Sequence, residues 1–320
     1  MRHAEPDIVI VGAGIAGGAL GTVLARAGFE VTLLERENSY PDRVRGEFMA
    51  PWGVTEFAKL ALLQPLREAG ALFTISKCNI PYDENFAPAE AEARALDLTK
   101  MHSEGLGGLC LGHPATCDIF AKLATAAGAT LLRGAGDISV TSGSRPLVSC
   151  THDAAKVEFQ PRLVIGADGR NSSLRKDLGF KVNADEPRTL LGGMLVKGVP
   201  SWPRDIQVIG VEGRFHFLVF PQGDDLLRLY GCYQFADKSR FDGPTRRAKL
   251  IDAFSKLTCL PYAEAIAAST PIGPFNSFSN EDHWIDDPTC PGVALIGDAA
   301  GHNDPIIGQG LSIALRDVRA

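Results

Sequence analysis

The sequence predicts an α/β fold, with a parallel-sheet domain assembled from discontinuous segments and an antiparallel sheet inserted between them. Three observations predict it. A strand, glycine loop, helix and second strand follow one another from Ile8 to Glu35. Strand-like runs without intervening helices fill about 189–233, and short apolar strands end in Asp168-Gly169 and in Gly297-Asp298. The 320 residues, 45% hydrophobic and 22% charged, supply enough chain for about two domains and a sizeable core.

The first unit is the most informative. Ile8-Val9-Ile10-Val11 reads as a buried strand running into Gly12-Ala13-Gly14-Ile15-Ala16-Gly17, and an Ala/Leu-rich helix continues to about Ala27. A second strand, Val31 to Leu34, ends on Glu35. Gly12 permits the tight turn, Gly14 lets a pyrophosphate approach the backbone, and Gly17 lets helix and strand pack closely. The helix N-terminus offers unpaired N–H groups to phosphates. Glu35 stands near the ~20-residue spacing at which a carboxylate accepts from ribose hydroxyls. The stretch is therefore a Rossmann-like mononucleotide-binding unit. Ile8 to Ala25 also lacks charge over roughly the length of a membrane span. Glycines at 12, 14, 17, 18 and 21 argue against an uninterrupted helix there, and a leader would need a basic start and a cleavage site.

Beyond about Gly70 a Pro-, Ala- and Glu-rich stretch (Ile80 to Leu98) is less regular, and Gly105-Leu106-Gly107-Gly108 has no strand before it and reads as a loop. Ile119, Phe120, Leu123 and Ala127 give helical spacing over Cys117 to Ala127; Gly128 stops it, and Thr130 to Leu132 resumes as a strand. Thr189 to Val196, Gln207 to Glu212, Phe215 to Pro221 and Leu226 to Tyr233 read as antiparallel strands, the last two joined by a hairpin at Pro221-Gln222-Gly223-Asp224-Asp225. An amphipathic helix is expected from about Thr245 to Leu257, before α/β character returns at Val293.

The net charge of −6, without a Lys/Arg run, argues against nucleic acid or an anionic membrane surface as the main partner. Seven scattered cysteines, never spaced C-x-x-C, point to reduced thiols in a cytoplasm and to no zinc site.

Three motifs together resemble the class A FAD-dependent monooxygenases, the para-hydroxybenzoate hydroxylase-like family. They are Gly12 to Gly17 with Glu35-Arg36; Ala167-Asp168-Gly169-Arg170-Asn171-Ser172-Ser173-Leu174-Arg175; and Leu295-Ile296-Gly297-Asp298-Ala299-Ala300 continuing through Pro305 to Gly308-Gln309-Gly310. Pro41-Asp42-Arg43-Val44-Arg45-Gly46-Glu47-Phe48 is similar to the corresponding stretch of squalene epoxidases. The resemblance implies a Rossmann-like FAD-binding domain in discontinuous segments (1–75, 105–180 and 276–320). The substrate domain would comprise 76–104 and the antiparallel sheet of 181–275. It implies that Gly12, Gly14, Ile15, Ala16, Gly17, Glu35 and Arg36 hold the nucleotide end of FAD, that Asp168 lies near the pyrophosphate, and that Gly297-Asp298 meets the ribityl hydroxyls. Gly308, Gln309 and Gly310 would point N–H groups at the isoalloxazine ring. Arg43 or Arg45 would contact the cofactor, and the sequence does not choose between them.

The chain also departs from the family. Gly301 stands where a histidine is usual, with His302 following, and His113-Pro114-Ala115-Thr116 replaces the usual arginine before the mid-chain helix. Family members normally continue past the third motif, whereas this chain ends within an expected helix at Arg319-Ala320. With a single dinucleotide fingerprint, NAD(P)H is expected as a transient co-substrate. Reduced flavin would then react with O2 through a flavin hydroperoxide to hydroxylate or epoxidise an aromatic or polyketide-like small molecule. Because the cofactor carries that chemistry, no catalytic side chain and no metal ligand is assigned. The alternatives are a geranylgeranyl reductase-like oxidoreductase and an inactive FAD-binding fragment; a halogenase is disfavoured by the lack of a W-x-W-x-I-P segment. In the inserted sheet Phe215, Phe217 and Val219 share one strand face and His216, Leu218 and Phe220 the other, with neither face assigned to substrate.

Overall fold

The computed structural model describes residues 2–320 apart from 46, 84 and 224, so Gly46 of the arginine-bearing stretch and Asp224 of the expected hairpin lie outside the described residues. The nucleotide unit forms first along the chain. Its strand β1 (Ile8–Val11) is buried at every residue, as a run without polar alternation requires when both sheet faces are covered. Helix α1 (Ile15–Arg26) and strand β2 (Val31–Glu35) complete the unit. Helix α2 (His113–Ala126) packs on α1 and leads into β3 (Thr130–Arg133). It begins four residues before the expected start, because Pro114 sits in its first turn, where the missing N–H leaves no bond unmade.

Strand β4 (Leu163–Gly166) follows, and β5 (Thr189–Lys197), β6 (Ile206–Glu212), β7 (Phe215–Pro221) and β8 (Leu226–Gln234) come next. After helix α3 (Arg246–Ser255) come β9 (Thr270–Ser279), β10 (Val293–Leu295) and helix α4 (Gly310–Arg319). The expected boundary at residue 275 thus falls inside β9.

The parallel sheet has the order β10-β4-β1-β2-β3, with Thr289–Cys290 added antiparallel at the β10 edge. One face packs on α1, α2 and α4, whose Ala314, Leu315 and Val318 are buried. Arg319 ties α4 to the helix Pro51–Lys59 by donating from Nε to Glu56 Oε2. The other face is covered by a four-stranded sheet that includes Gly136–Thr141, Leu147–His152 and Ala155–Phe159.

The second large sheet has seven strands, in the order β9-β5-β8-β7-β6 followed by Lys77–Asn79 and Leu96–Asp97. It is antiparallel except where β6 runs parallel to Lys77–Asn79, a pairing that a run of consecutive hairpins does not foretell. Strand period two gives its faces different duties. Phe215, Phe217 and Val219 join Leu250 and Phe254 of α3 in one core, with Phe254 set edge-on to Phe215 at 5.9 Å and to Phe217 at 6.1 Å. Leu218 and Phe220 face the other way, where Phe220 stacks on Phe48 at 5.5 Å. Among the described residues no helix is long and apolar enough to cross a membrane.

Phe254 is fully buried between α3 and the sheet. Phe254→Ala is expected to lower the unfolding free energy by about 3–5 kcal/mol in a denaturant titration, whereas the exposed Phe29→Ala should change it by only a few tenths.

Candidate active site

One cavity of about 640 Å³ runs along the C-terminal edge of the parallel sheet and turns onto the apolar face of the seven-stranded sheet. Successive strand ends supply its floor: Asp298 follows β10, Asp168 follows β4, Gly12 follows β1, Glu35 closes β2, and Ala135 to Ile138 follow β3. Ligands of open parallel sheets bind at this edge, because strand ends and helix N-termini converge there.

The glycine loop shows why its residue types are needed. Gly12 adopts φ +96°, and a Cβ on it would lie 2.5 Å from the Ala167 carbonyl oxygen. A Cβ on Gly17 would lie 1.9 Å from the Gly12 carbonyl oxygen. Gly14 differs: nothing lies within 4 Å of its Cβ position, which opens on the cavity. A side chain there would fill a cradle that the protein itself leaves free. Ile15 and Ala16 line the same wall, and Gly17 lies behind it. The Glu35 carboxylate accepts from Ala13 N–H at 2.9 Å and from Glu37 N–H at 2.9 Å, so it also holds the glycine loop in place. Tyr40, unmarked by any motif, donates to the Ala13 carbonyl at 2.6 Å, and burial raises its phenol pKa.

The second and third motifs are stapled together. Arg175 Nη1 donates to the carbonyls of Asp298 and Ala299 at 3.3 and 3.1 Å, and its Nη2 donates to the Arg170 carbonyl at 2.8 Å. Asp168 accepts from Leu174 N–H at 3.2 Å. Burial raises the Asp298 carboxyl pKa, and Arg45, Arg170 and Arg175 oppose that shift. Gly297 N–H donates to Asp317 of α4 at 2.9 Å, which fixes this turn against the final helix. Gln309 caps α4, and Gly308 and Gly310 line the cavity beside it.

Arg36, Arg43 and Arg45 all line the cavity, in different environments. Arg36 is largely exposed and pairs with Glu37 at 3.3 Å, and Arg43 pairs with the same carboxylate at 3.2 Å. Arg45 is largely buried, which lowers its pKa, and Asp298 is the main charge favouring its cation. The loop carrying Arg43 and Arg45 is clamped to β8. Arg228 donates to Asp42 Oδ2 at 2.9 Å, and its Nε stands 2.8 Å from Glu47 Oε1 as a charge contact without hydrogen-bond alignment. Tyr230, on the same face of β8, donates to Glu47 Oε2. Burial raises the Glu47 pKa against the pull of Arg228 and the Tyr230 hydrogen bond. No local pattern pairs Glu47 with Arg228 and Tyr230, because about 180 residues separate them.

Leu191, Leu218, Phe220, Phe278 and Phe48 form the apolar end of the cavity. His302 also lines it, on the two-residue strand Gly301–His302 and not on an open loop. Burial, with Arg170 and His283 beside it, lowers its pKa to about 3. His113, at the start of α2, reaches the cavity where an arginine is usual in the resembling family.

The arrangement is a parallel-sheet edge suited to a nucleotide, with an apolar chamber beside it. Residues 5–320 match the family described as "FAD binding domain". The chain is 25% identical to a squalene monooxygenase of Candida glabrata over 98% of its own length and 69% of that protein. Its fold is similar to p-nitrophenol 4-monooxygenase PnpA from Pseudomonas putida (TM-score 0.80, 18% identity, 100% of this chain and 78% of that one). It is also similar to a geranylgeranyl bacteriochlorophyll reductase-like protein from Thermoplasma acidophilum (TM-score 0.75, 17% identity, 98% and 76%). The chain belongs to this FAD-binding family and is an FAD-dependent oxidoreductase.

Burial lowers the His113 pKa from 6.5 to about 4, with the Arg45 and Arg43 charges adding to the effect. The unfolded chain therefore takes up this proton first, and stability falls as pH drops from 6.5 towards 4. His113→Gln is expected to remove on the order of 2 kcal/mol of that acid loss, read from denaturation midpoints at pH 7 and pH 4.5.

Proposed function

We propose that the chain binds one FAD along the C-terminal edge of its parallel sheet. With NAD(P)H and O2 it would then hydroxylate or epoxidise an apolar small molecule seated against the seven-stranded sheet. The observation that carries this reading is the continuity of the cavity from the glycine loop to the apolar wall. Glu35 and Arg36 would meet the adenosine end. Gly12, Gly14, Ile15, Ala16, Gly17 and Asp168 would pass the pyrophosphate, with Arg43 and Arg45 supplying positive charge. Gly297-Asp298 would take the ribityl hydroxyls. Gly308, Gln309 and Gly310 would present the positive end of α4 to the ring.

When bound and reduced, the flavin supplies oxygen activation, which no side chain offers. The protein positions the acceptor and keeps water out. Leu191, Leu218, Phe220 and Phe278 suit an acceptor that is apolar around its reacting carbon, either aromatic or alkene. The squalene monooxygenase relative supports epoxidation as one outcome of this geometry. The single dinucleotide fingerprint supports a nicotinamide that visits and leaves.

Two experiments test the reading. Gly14→Ala should keep the melting temperature of the wild-type apoprotein, since its Cβ meets no protein atom, yet weaken FAD binding at least tenfold, about 1.4 kcal/mol, by flavin fluorescence titration. Gly17→Ala should destabilise the apoprotein itself. Equal FAD affinity in Gly14→Ala and wild type would remove the pyrophosphate assignment. The second experiment screens aromatic and alkene substrates for NAD(P)H consumption under ¹⁸O₂. Product carrying one labelled oxygen is expected, whereas substrate-dependent oxidation that persists without O2 and adds hydrogen across an alkene would establish the reductase alternative.

A further inference from the structure

A second group of functional side chains stands at the cavity wall, outside the proposed cofactor contacts. The strand His283–Trp284 pairs antiparallel with Gly301–His302, and His283 lies directly opposite His302. Their rings stack with centroids 4.5 Å apart and planes 34° apart. Glu281 precedes His283 by two residues, and its Oε1 lies 3.7 Å from His283 Nε2. One ligand-competent atom from each of Glu281, His283 and His302 falls within 4.8 Å of the others.

The polar atoms of this cluster are incompletely satisfied. Glu281 Oε2 and both ring nitrogens of His302 are buried and have no hydrogen-bond partner among the described residues. Sequestering such atoms without a partner is unfavourable, and a bound cation would satisfy Glu281 Oε2 and one of the two His302 nitrogens. Two imidazoles and one carboxylate match a divalent transition metal better than magnesium or calcium, which favour all-oxygen shells.

Arg170 has a specific place in this arrangement. It donates to Glu281 Oε1 at 2.9 Å and to the Ser279 carbonyl, which orients the carboxylate and leaves Oε2 free. Ligating carboxylates are commonly held in this way by an outer hydrogen bond. The same guanidinium charge repels a cation, which places the site below four-ligand structural zinc centres in affinity. His302 lines the cavity, so a remaining coordination position would open towards it.

We propose that Glu281, His283 and His302 form a binding site for a zinc-like divalent transition-metal ion in the wall of the cavity. The assignment stands independently of the reaction proposed above, since all three ligands come from this chain. It is tested on the full chain, stripped with chelator and titrated calorimetrically with Zn(II), with Co(II) absorption as a second readout. Saturable one-to-one Zn(II) binding is expected, with Co(II) bands that show nitrogen ligation and no comparable response to Mg(II). His302→Ala, His283→Ala and Glu281→Gln should each weaken Zn(II) by about tenfold or more, while the exposed His216→Ala should not. Near-ultraviolet circular dichroism identifies any variant that has not folded, and Glu281→Gln, which preserves side-chain volume, then decides the outcome. Absence of saturable binding, or equal affinity in wild type and the folded ligand variants, would overturn the site.

Discussion

The site depends on the shared register of the parallel strands β10, β4, β1, β2 and β3. Val293, Val164, Val9, Thr32 and Thr130 lie in one row across the sheet, so the five strands finish at nearly one level. Each strand then releases its chain into a turn at the same edge. Gly12, Glu35, Asp168 and Asp298, spread over most of the sequence, become neighbours without any contact designed for each pair. A one-residue slip of β4 or β10 would turn its buried residues to the opposite face and move its aspartate from this edge. The apolar residues of these strands therefore determine where the polar ones can act.

A buried charge network then joins this edge to the seven-stranded sheet. Arg228 of β8 faces two acids, Asp42 and Glu47, which bracket the loop bearing Arg43 and Arg45. Removing one partner from such a group leaves a buried charge uncompensated, a larger effect than the net value of the intact group. The clamp therefore contributes more to geometry than to stability. It fixes the spacing between the positively charged loop and the apolar wall, and the stacked Phe48 and Phe220 extend that joint.

Much of this was legible in the sequence, for identifiable physical reasons. The glycine loop, Glu35 and the Gly297-Asp298 turn belong to continuous segments whose spacing is local, so pattern alone locates them. The strands of the inserted sheet were readable from period two, and Phe215 to Pro221 has the expected limits. Which face of that strand meets the cavity was not readable, because both faces are apolar; the position of α3 decides it. The Glu47–Arg228–Tyr230 group and the Glu281–His283–His302 group were hidden for different reasons. Glu47 and Tyr230 are brought together from positions 183 residues apart, whereas Glu281, His283 and His302 lie within about 20 residues and are joined by the pairing of two short strands. His113 is a different case, because its position in the chain was noticed while its burial at the cavity depended on how α2 packs.

The two sheets divide the recognition problem between them. At the parallel-sheet edge, backbone N–H groups, carboxylates and arginines face the cavity, so a charged, hydroxyl-rich ligand can replace lost water contacts with directed hydrogen bonds. At the antiparallel wall, Tyr230 donates to Glu47, whose other oxygen is in charge contact with Arg228, and the Arg170 guanidinium lies over the Phe278 ring. Tyr230 and one Glu47 oxygen are engaged with each other, so shape and apolar contact are the main means of selection left to Leu191, Leu218, Phe220 and Phe278. Discrimination by contact alone is modest, on the order of 1–3 kcal/mol per methylene. Under the proposed function, a chamber built this way would tolerate a range of apolar bodies, while the polar parallel-sheet edge would be exacting. In the proposed reaction, the site of oxygen insertion would follow from how the acceptor's body lies against Leu218, Phe220 and Phe278 relative to the N-terminus of α4, with no hydrogen bond selecting a particular atom.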